Sequence, residues 1–110
     1  MDKISNNKYA WTWKIKEECM DEYIKMHLNP WPEIMKAHTE AGFRNYSIFH
    51  VGNEFFYVFE CDDCPRAFAF LDSNQDCQRW NAITSSMVEG SFDFSKPNPI
   101  EFLEQVFYLK

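Results

Sequence analysis

The sequence predicts an α+β fold, and three features of the chain support that prediction. Its 110 residues are the usual size of one domain, so we treat residues 1–110 as a single domain. Its composition, 45% hydrophobic and 18% aromatic, provides enough apolar surface for a packed core. Segments with apolar residues at every second position alternate with segments in which they recur every three or four positions. This change of period indicates strands and helices in turn.

The N-terminal half is predicted to form one strand and two helices. Residues 9–16, YAWTWKIK, carry large apolar side chains at every second position, which is the period of a strand. A helix is predicted from residue 17 to Leu28, because apolar and aromatic residues there share one helical face. Pro30 should end this helix, since the residue before a proline avoids helical backbone angles. Pro32 suits the first turn of a second helix, and Gly42 suits its C-terminal cap.

The C-terminal half is predicted to contain a hairpin, two more helices and a last strand. FRNYSIFHV at residues 43–51 and EFFYVFEC at residues 54–61 are the hairpin strands, with Gly52-Asn53 as a two-residue loop between them. The later elements are predicted as helices at residues 62–72 and about 74–88, a loop at Gly90 to Pro99 and a strand at Val106 to Leu109.

The predicted order βαββαβ, with broken helices, is that of a ferredoxin-like fold. Such a fold has a four-stranded antiparallel sheet with its helices packed on one face. The predicted strands are aromatic on both faces, which indicates that the second face is covered too. A homodimer that joins two sheets face to face, a dimeric α+β barrel, would cover it.

The charge and hydropathy of the chain exclude several classes of partner. Eleven Lys and Arg against 17 Asp and Glu give a formal net charge of -6, which disfavours nucleic acid because phosphate binding needs clustered cations. The apolar segments are too short to span a membrane. Residues 1–8 are polar and lack the apolar core of a signal peptide, so we expect a cytoplasmic protein.

The four cysteines, Cys19, Cys61, Cys64 and Cys77, are expected to be reduced thiols without a chemical role. Cys61 and Cys64 form a CxxC motif, but the two Asp residues between them disfavour the thiolate that redox chemistry needs. A zinc site would need two further ligands at suitable spacing, and Cys77 stands alone. The cysteines therefore predict neither a metal site nor a redox site.

A tyrosine and a histidine on the first helix are the first candidate site residues. Tyr23 and His27 are four positions apart, so their side chains project side by side. An imidazole can give or take a proton near pH 7, and a phenol beside it can hydrogen-bond a polyol. On spacing alone, a histidine on a helix face is more often an ordinary packed or surface residue.

Three aromatic residues are further candidates for sugar contact. The indoles of Trp31 and Trp80 could stack on the apolar face of a sugar ring, although both could also be core residues. Tyr46 lies in the middle of a predicted strand, and it too could belong to the core. His38 and His50 have no matching partners in the sequence, and we interpret them as surface or hydrogen-bonded residues.

Four segments, three of which include these candidates, resemble motifs of the L-rhamnose mutarotase family. Residues 23–33, YIKMHLNPWPE, resemble its EYxxxHxxxWPE segment. Residues 41–49, AGFRNYSIF, are similar to its G-x-x-NYSI(F/Y) strand, and residues 77–80, CQRW, to its (C/V)QRWW segment. Residues 106–109, VFYL, are similar to its VFxL tail, and the resemblance covers about residues 9 to 110.

The resemblance implies a ferredoxin-like subunit in a dimer. It also implies an isomerase that interconverts the α and β anomers of a deoxy-sugar, a monosaccharide substrate, without metal or cofactor. By position, His27 would be the general acid, and Tyr23, Tyr46 and Trp80 would contact the sugar. A dimeric α+β-barrel monooxygenase or haem-handling protein shares the fold and remains an alternative.

Two residues depart from the family pattern. Asn81 stands where the family usually has a second Trp, and Ser85 stands where it tends to have Asp. Asn81 replaces an apolar platform with a hydrogen-bonding amide, and we expect it, with Trp31, to be a sugar contact. The change could alter the preferred sugar. It could also mark a non-catalytic sugar-binding or regulatory module of the same fold.

Overall fold

Three strands and four α-helices form the described structure, a computed structural model that describes residues 6–92 and 100–110. In chain order the elements are β1 (Lys8–Lys14), a 3-10 turn (Glu17–Cys19), α1 (Met20–Leu28), α2 (Pro32–Ala41), β2 (Arg44–Val51), β3 (Glu54–Glu60), α3 (Cys64–Ser73) and α4 (Gln75–Ser85). The predicted order of elements is confirmed from β1 to α4. The predicted loop at Gly90 to Pro99 lies partly outside the described residues.

The sheet is antiparallel throughout, with the strand order β1-β3-β2. On the central strand, Tyr57 lies opposite Trp11 of β1 and Ile48 of β2. The loop between β2 and β3 is Gly52-Asn53, as predicted, and Gly52 has a φ of +57°. That left-handed backbone favours glycine because the Cβ atom of any other residue would come too close to the following carbonyl oxygen.

The helix ends follow local signals in the sequence. Pro32 begins α2, and Gly42, with a φ of +104°, ends it. The side chain of Asp63 accepts the backbone N–H of Arg66 at the start of α3. The first helix is shorter than predicted, because residues 17–19 form the 3-10 turn that commonly precedes a helix. Similarly, α4 ends at Ser85 and not at residue 88.

The predicted fourth strand at Val106 to Leu109 is wrong, because the structure describes no regular structure in residues 101–110. The described tail donates one backbone hydrogen bond to the sheet, from Leu103 N to the Ala10 carbonyl at 2.7 Å. If the tail continued antiparallel from that bond, Val106 would pass the start of β1 at Lys8 and would have no strand beside it. The described sheet therefore has three strands in place of the four predicted.

The two faces of the sheet have different environments. The helix-facing side carries the core aromatics, and there the Trp11 and Tyr57 rings stack with centroids 4.6 Å apart. On the opposite side, Phe49, Val51 and Val58 keep 63%, 70% and 36% of their surface exposed. The apolar second face that the strand pattern predicted is thus present and open to solvent in the single chain.

Candidate active site

Four of the predicted site residues meet where α1, α4 and the start of α2 approach one another. The rings of Tyr23 and His27 have centroids 4.3 Å apart, so the predicted side-by-side placement is what the helix produces. His27 lies edge-on to Trp80 at 5.4 Å, and Trp80 lies edge-on to Trp31 at 5.1 Å. Tyr23 and Trp80 are buried, whereas His27 and Trp31 are half-buried. The His27 imidazole thus packs against aromatic rings and stays partly exposed to solvent.

The protonation of His27 follows from its hydrogen bond. Its Nδ1 lies 2.7 Å from the backbone carbonyl oxygen of Tyr23. A carbonyl only accepts, so Nδ1 carries the proton, and in the neutral ring Nε2 keeps its lone pair. Burial lowers the pKa of His27, and the nearby His38 acts in the same direction against the opposing effect of the carbonyl bond. At neutral pH, therefore, Nε2 of His27 is a proton acceptor.

Tyr57 is a member of the cluster that the sequence did not reveal. Its hydroxyl lies 2.5 Å from the Tyr23 hydroxyl, and both side chains are 2% exposed. Burial raises the pKa of Tyr23 to about 12 and raises that of Tyr57 as well, so both phenols are neutral at pH 7. The alternation along β3 places Tyr57 on the same face as Phe55, but no motif marks it. Only the packing of α1 on that face creates the pair.

A bulge in β2 determines where Tyr46 lies. The register shifts between Arg44 and Ser47, and Asn45 at the shift has a φ of +49°. The Tyr46 ring stacks on Phe59 with centroids 5.4 Å apart. Burial and the nearby Tyr23 phenol raise the pKa of Tyr46. Within the described residues its hydroxyl has no hydrogen-bond partner, so it is a free donor near the Tyr23–Tyr57 pair.

The other two histidines are hydrogen-bonded, in line with their interpretation from the sequence. Nδ1 of His38 lies 2.7 Å from the Ile34 carbonyl, and its ring packs edge-on to Tyr46 at 6.0 Å. His50 is exposed, and its Nδ1 lies 3.0 Å from the Gly52 carbonyl. His38 is therefore closer to the cluster than the sequence indicated, and burial lowers its pKa.

The two departures from the family pattern have different surroundings. Asn81 follows Trp80 on α4 and is half-buried; its amide forms no hydrogen bond within the part of the chain that the structure describes. The Ser85 hydroxyl donates to the Phe92 carbonyl at 2.8 Å and accepts the Phe92 N–H at 3.1 Å. Through these two hydrogen bonds, Ser85 holds the backbone of Phe92 against the end of α4.

The four cysteines form no disulfide. Burial raises the pKa of the Cys64 thiol to about 12, and Cys61 and Asp63 act in the same direction. Cys61 borders an open cavity of about 580 Å³ that none of the predicted site residues lines. In residues 6–92 and 100–110, no group of three or more His, Cys, Asp or Glu side chains could hold a metal ion. No helix in these ranges is long and apolar enough to cross a membrane.

The chain is similar to L-rhamnose mutarotases over nearly its whole length. The family model described as L-rhamnose mutarotase matches residues 8–109. An L-rhamnose mutarotase of Bacillus subtilis is 33% identical over 98 residues, which are 86% of this chain and 90% of that protein. One of Pectobacterium carotovorum is 31% identical over 102 residues, 91% and 95% of the two chains. One of Ligilactobacillus salivarius is 35% identical over 96 residues, 81% and 84% of the two chains.

Two solved structures share the fold. The crystal structure of an L-rhamnose mutarotase from Formosa agariphila has a TM-score of 0.75 at 21% identity, and the match covers 96% of this chain and 100% of that one. A NIPSNAP family protein from Agrobacterium tumefaciens has a TM-score of 0.61 at 16% identity, covering 99% and 97%. At such identities the likeness concerns the fold alone, which proteins of different families share.

Proposed function

The chain belongs to the L-rhamnose mutarotase family, and from that premise we propose that it is an isomerase that interconverts the α and β anomers of L-rhamnose through His27. Family membership supports the reaction and the sugar. The observation that supports the role of His27 is its Nδ1 bond to the Tyr23 carbonyl, which leaves a basic Nε2 in a partly open aromatic cluster.

Mutarotation needs one proton to move from the anomeric hydroxyl to the ring oxygen. In our proposal Nε2 of His27 takes the proton of the anomeric O1–H while the C1=O1 bond forms and the C1–O5 bond breaks. The imidazolium then gives the proton to O5, and in this half of the step it is the general acid. The aldehyde rotates, and the same transfers in reverse close the ring on its other face. His27 ends as it began, so no co-reactant is needed.

The aromatic cluster supplies the contacts that hold the sugar. The Trp80 and Trp31 indoles offer apolar faces, and the hydroxyls of Tyr23 and Tyr46 can donate to sugar oxygens. Asn81 follows Trp80 on the same helix and offers an amide with free donors and acceptors. We propose these five residues as the sugar contacts, with Asn81 as the one that adjusts the sugar preference.

The decisive experiment measures anomer exchange by saturation-transfer proton NMR. Wild type, His27→Ala and the control His50→Ala would each be incubated with L-rhamnose, L-fucose and other aldoses. We expect enhanced exchange of L-rhamnose in wild type, the same rate in His50→Ala, whose imidazole lies outside the cluster, and a loss of ~10²–10⁴-fold in His27→Ala. Unchanged exchange in His27→Ala would refute its role. Sugar binding without exchange in wild type would favour the non-catalytic module.

We also propose that two copies pair through the open sheet face. Phe49 and Val51 on that face are 63% and 70% exposed, and Val106 and Leu109 of the tail are both 81% exposed. A second copy would remove these apolar groups from water, and in a twofold dimer the same apolar face is buried on both subunits. The same dimer could supply the neighbour that the tail lacks in one chain.

Light scattering after size exclusion tests the dimer. We expect wild type to have twice the mass of one chain. Phe49→Asp should shift it to the monomer, whereas Met35→Asp, at a 58% exposed position on α2, should leave the dimer intact. A monomeric wild type would contradict the proposal.

We also propose a cytoplasmic location for the enzyme, because free thiols such as those of the buried Cys61, Cys64 and Cys77 stay reduced there.

A further inference from the structure

The hydroxyls of Tyr23 and Tyr57 form one hydrogen bond with each other, which leaves one of their two O–H groups free to donate elsewhere. Tyr23 and Tyr57 bring two O–H donors, and one of them forms the 2.5 Å bond between the hydroxyls. The second O–H has no acceptor among the described residues. Both side chains are 2% exposed, so this donor is largely cut off from bulk water. A buried donor is unfavourable until it has an acceptor, and an oxygen of a ligand that enters the cluster would provide one.

The surroundings of the pair decide which phenol faces that ligand. The Tyr57 ring stacks on Trp11, with centroids 4.6 Å apart and planes 7° from parallel, inside the sheet-side core. The Tyr23 ring lies 4.3 Å from His27, at the edge of the half-buried cluster. Tyr57 is thus packed against the core, whereas Tyr23 contacts both Tyr57 and the imidazole of His27.

From this arrangement, and resting on the proposed function, we infer that Tyr57 is a positioning residue that donates to the Tyr23 hydroxyl and directs the Tyr23 O–H onto a sugar oxygen. Accepting a hydrogen bond polarises the Tyr23 hydroxyl and strengthens it as a donor. Both phenols stay protonated at neutral pH, since burial raises both pKa values. Tyr57 acts on the sugar only through Tyr23 in this arrangement.

A double-mutant cycle on anomer exchange of L-rhamnose tests the inference. The enzymes are wild type, Tyr23→Phe, Tyr57→Phe and the double variant. The Tyr9→Phe control removes a phenol that packs on Phe59, on the same sheet. We expect Tyr57→Phe to raise KM about 3–10-fold with kcat within about twofold, the effect of one lost ground-state hydrogen bond. In the Tyr23→Phe background the same change should have less than about a twofold effect.

Other outcomes separate this inference from the proposed function. An unchanged KM in Tyr57→Phe, or effects of the two changes that simply multiply, would reduce Tyr57 to a core residue. Absence of exchange in wild type would refute the mutarotase activity instead.

The hydroxyl proton shared by Tyr23 and Tyr57 provides a test that needs no variant. In wild type it should give a downfield proton resonance that shifts when L-rhamnose is added, and a resonance insensitive to saturating sugar would overturn the inference.

Discussion

Replacing Asn45 should reveal how much the bulge in β2 depends on a left-handed residue. Asn45 has a φ of +49°, a backbone conformation that most side chains avoid and that asparagine tolerates. Its amide also donates to a Glu60 carboxylate oxygen at 2.8 Å. Asn45→Ala and Asn45→Gly both remove that amide. They differ in that glycine accepts the left-handed backbone and alanine does not.

The comparison of the two variants isolates the backbone effect. Holding an L-residue in a left-handed conformation costs about 1–2 kcal/mol of folding free energy. Glycine has more backbone entropy to lose on folding than alanine, which costs the glycine variant about 0.5–1 kcal/mol. Asn45→Gly should therefore be more stable than Asn45→Ala by about 1 kcal/mol. In a domain of this size that difference is about 4 °C in Tm. Urea unfolding followed by tryptophan fluorescence, with equal m-values, would measure it.

A matched pair of variants at Ser47 supplies the control. Ser47 lies on the same strand, is exposed and has no positive φ. There the order should reverse, with Ser47→Ala more stable than Ser47→Gly by about 0.5–1 kcal/mol. If alanine were the better residue at position 45 as well, the left-handed bulge would not exist in solution. The explanation of how Tyr46 is placed would then fail.

Three further predictions concern the site and its supports. Burial lowers the pKa values of His27 and His38 below 6.5, so folding favours the neutral rings. The free energy of unfolding and the exchange rate should therefore be full above pH 6.5 and fall at more acidic pH. A flat pH–rate profile would remove His27 from proton transfer. Asn81→Trp should raise the exchange rate of L-rhamnose relative to L-fucose, and equal ratios would deny Asn81 a role in specificity. Asn74 accepts the Cys77 N–H at 3.0 Å; Asn74→Ala should cost about 1 kcal/mol in urea unfolding, and Asn74→Ser much less.

The sequence by itself determined the order of elements from β1 to α4 and the pairing of Tyr23 with His27. These depend on local signals: the period of the apolar residues, the proline that begins α2, and the glycine that follows it. A helix places residues four apart side by side whatever it packs against. The aromatic residues on both faces of the predicted strands also predicted an apolar second face, since side chains alternate along any strand.

Only the tertiary structure decided the remaining features, because each depends on a neighbour that is distant in the chain. A strand exists only beside another strand, and in the single chain residues 106–109 would lie beyond the start of β1, where no strand is beside them. Burial among residues such as Trp80 lowers the pKa of His27 and so keeps its ring neutral, whereas the local bond only fixes the proton on Nδ1. The partner of the Tyr23 hydroxyl comes from Tyr57, 34 residues away, because α1 packs on β3. Periodicity identifies which face of an element is buried, but contact between two faces is a property of the folded chain.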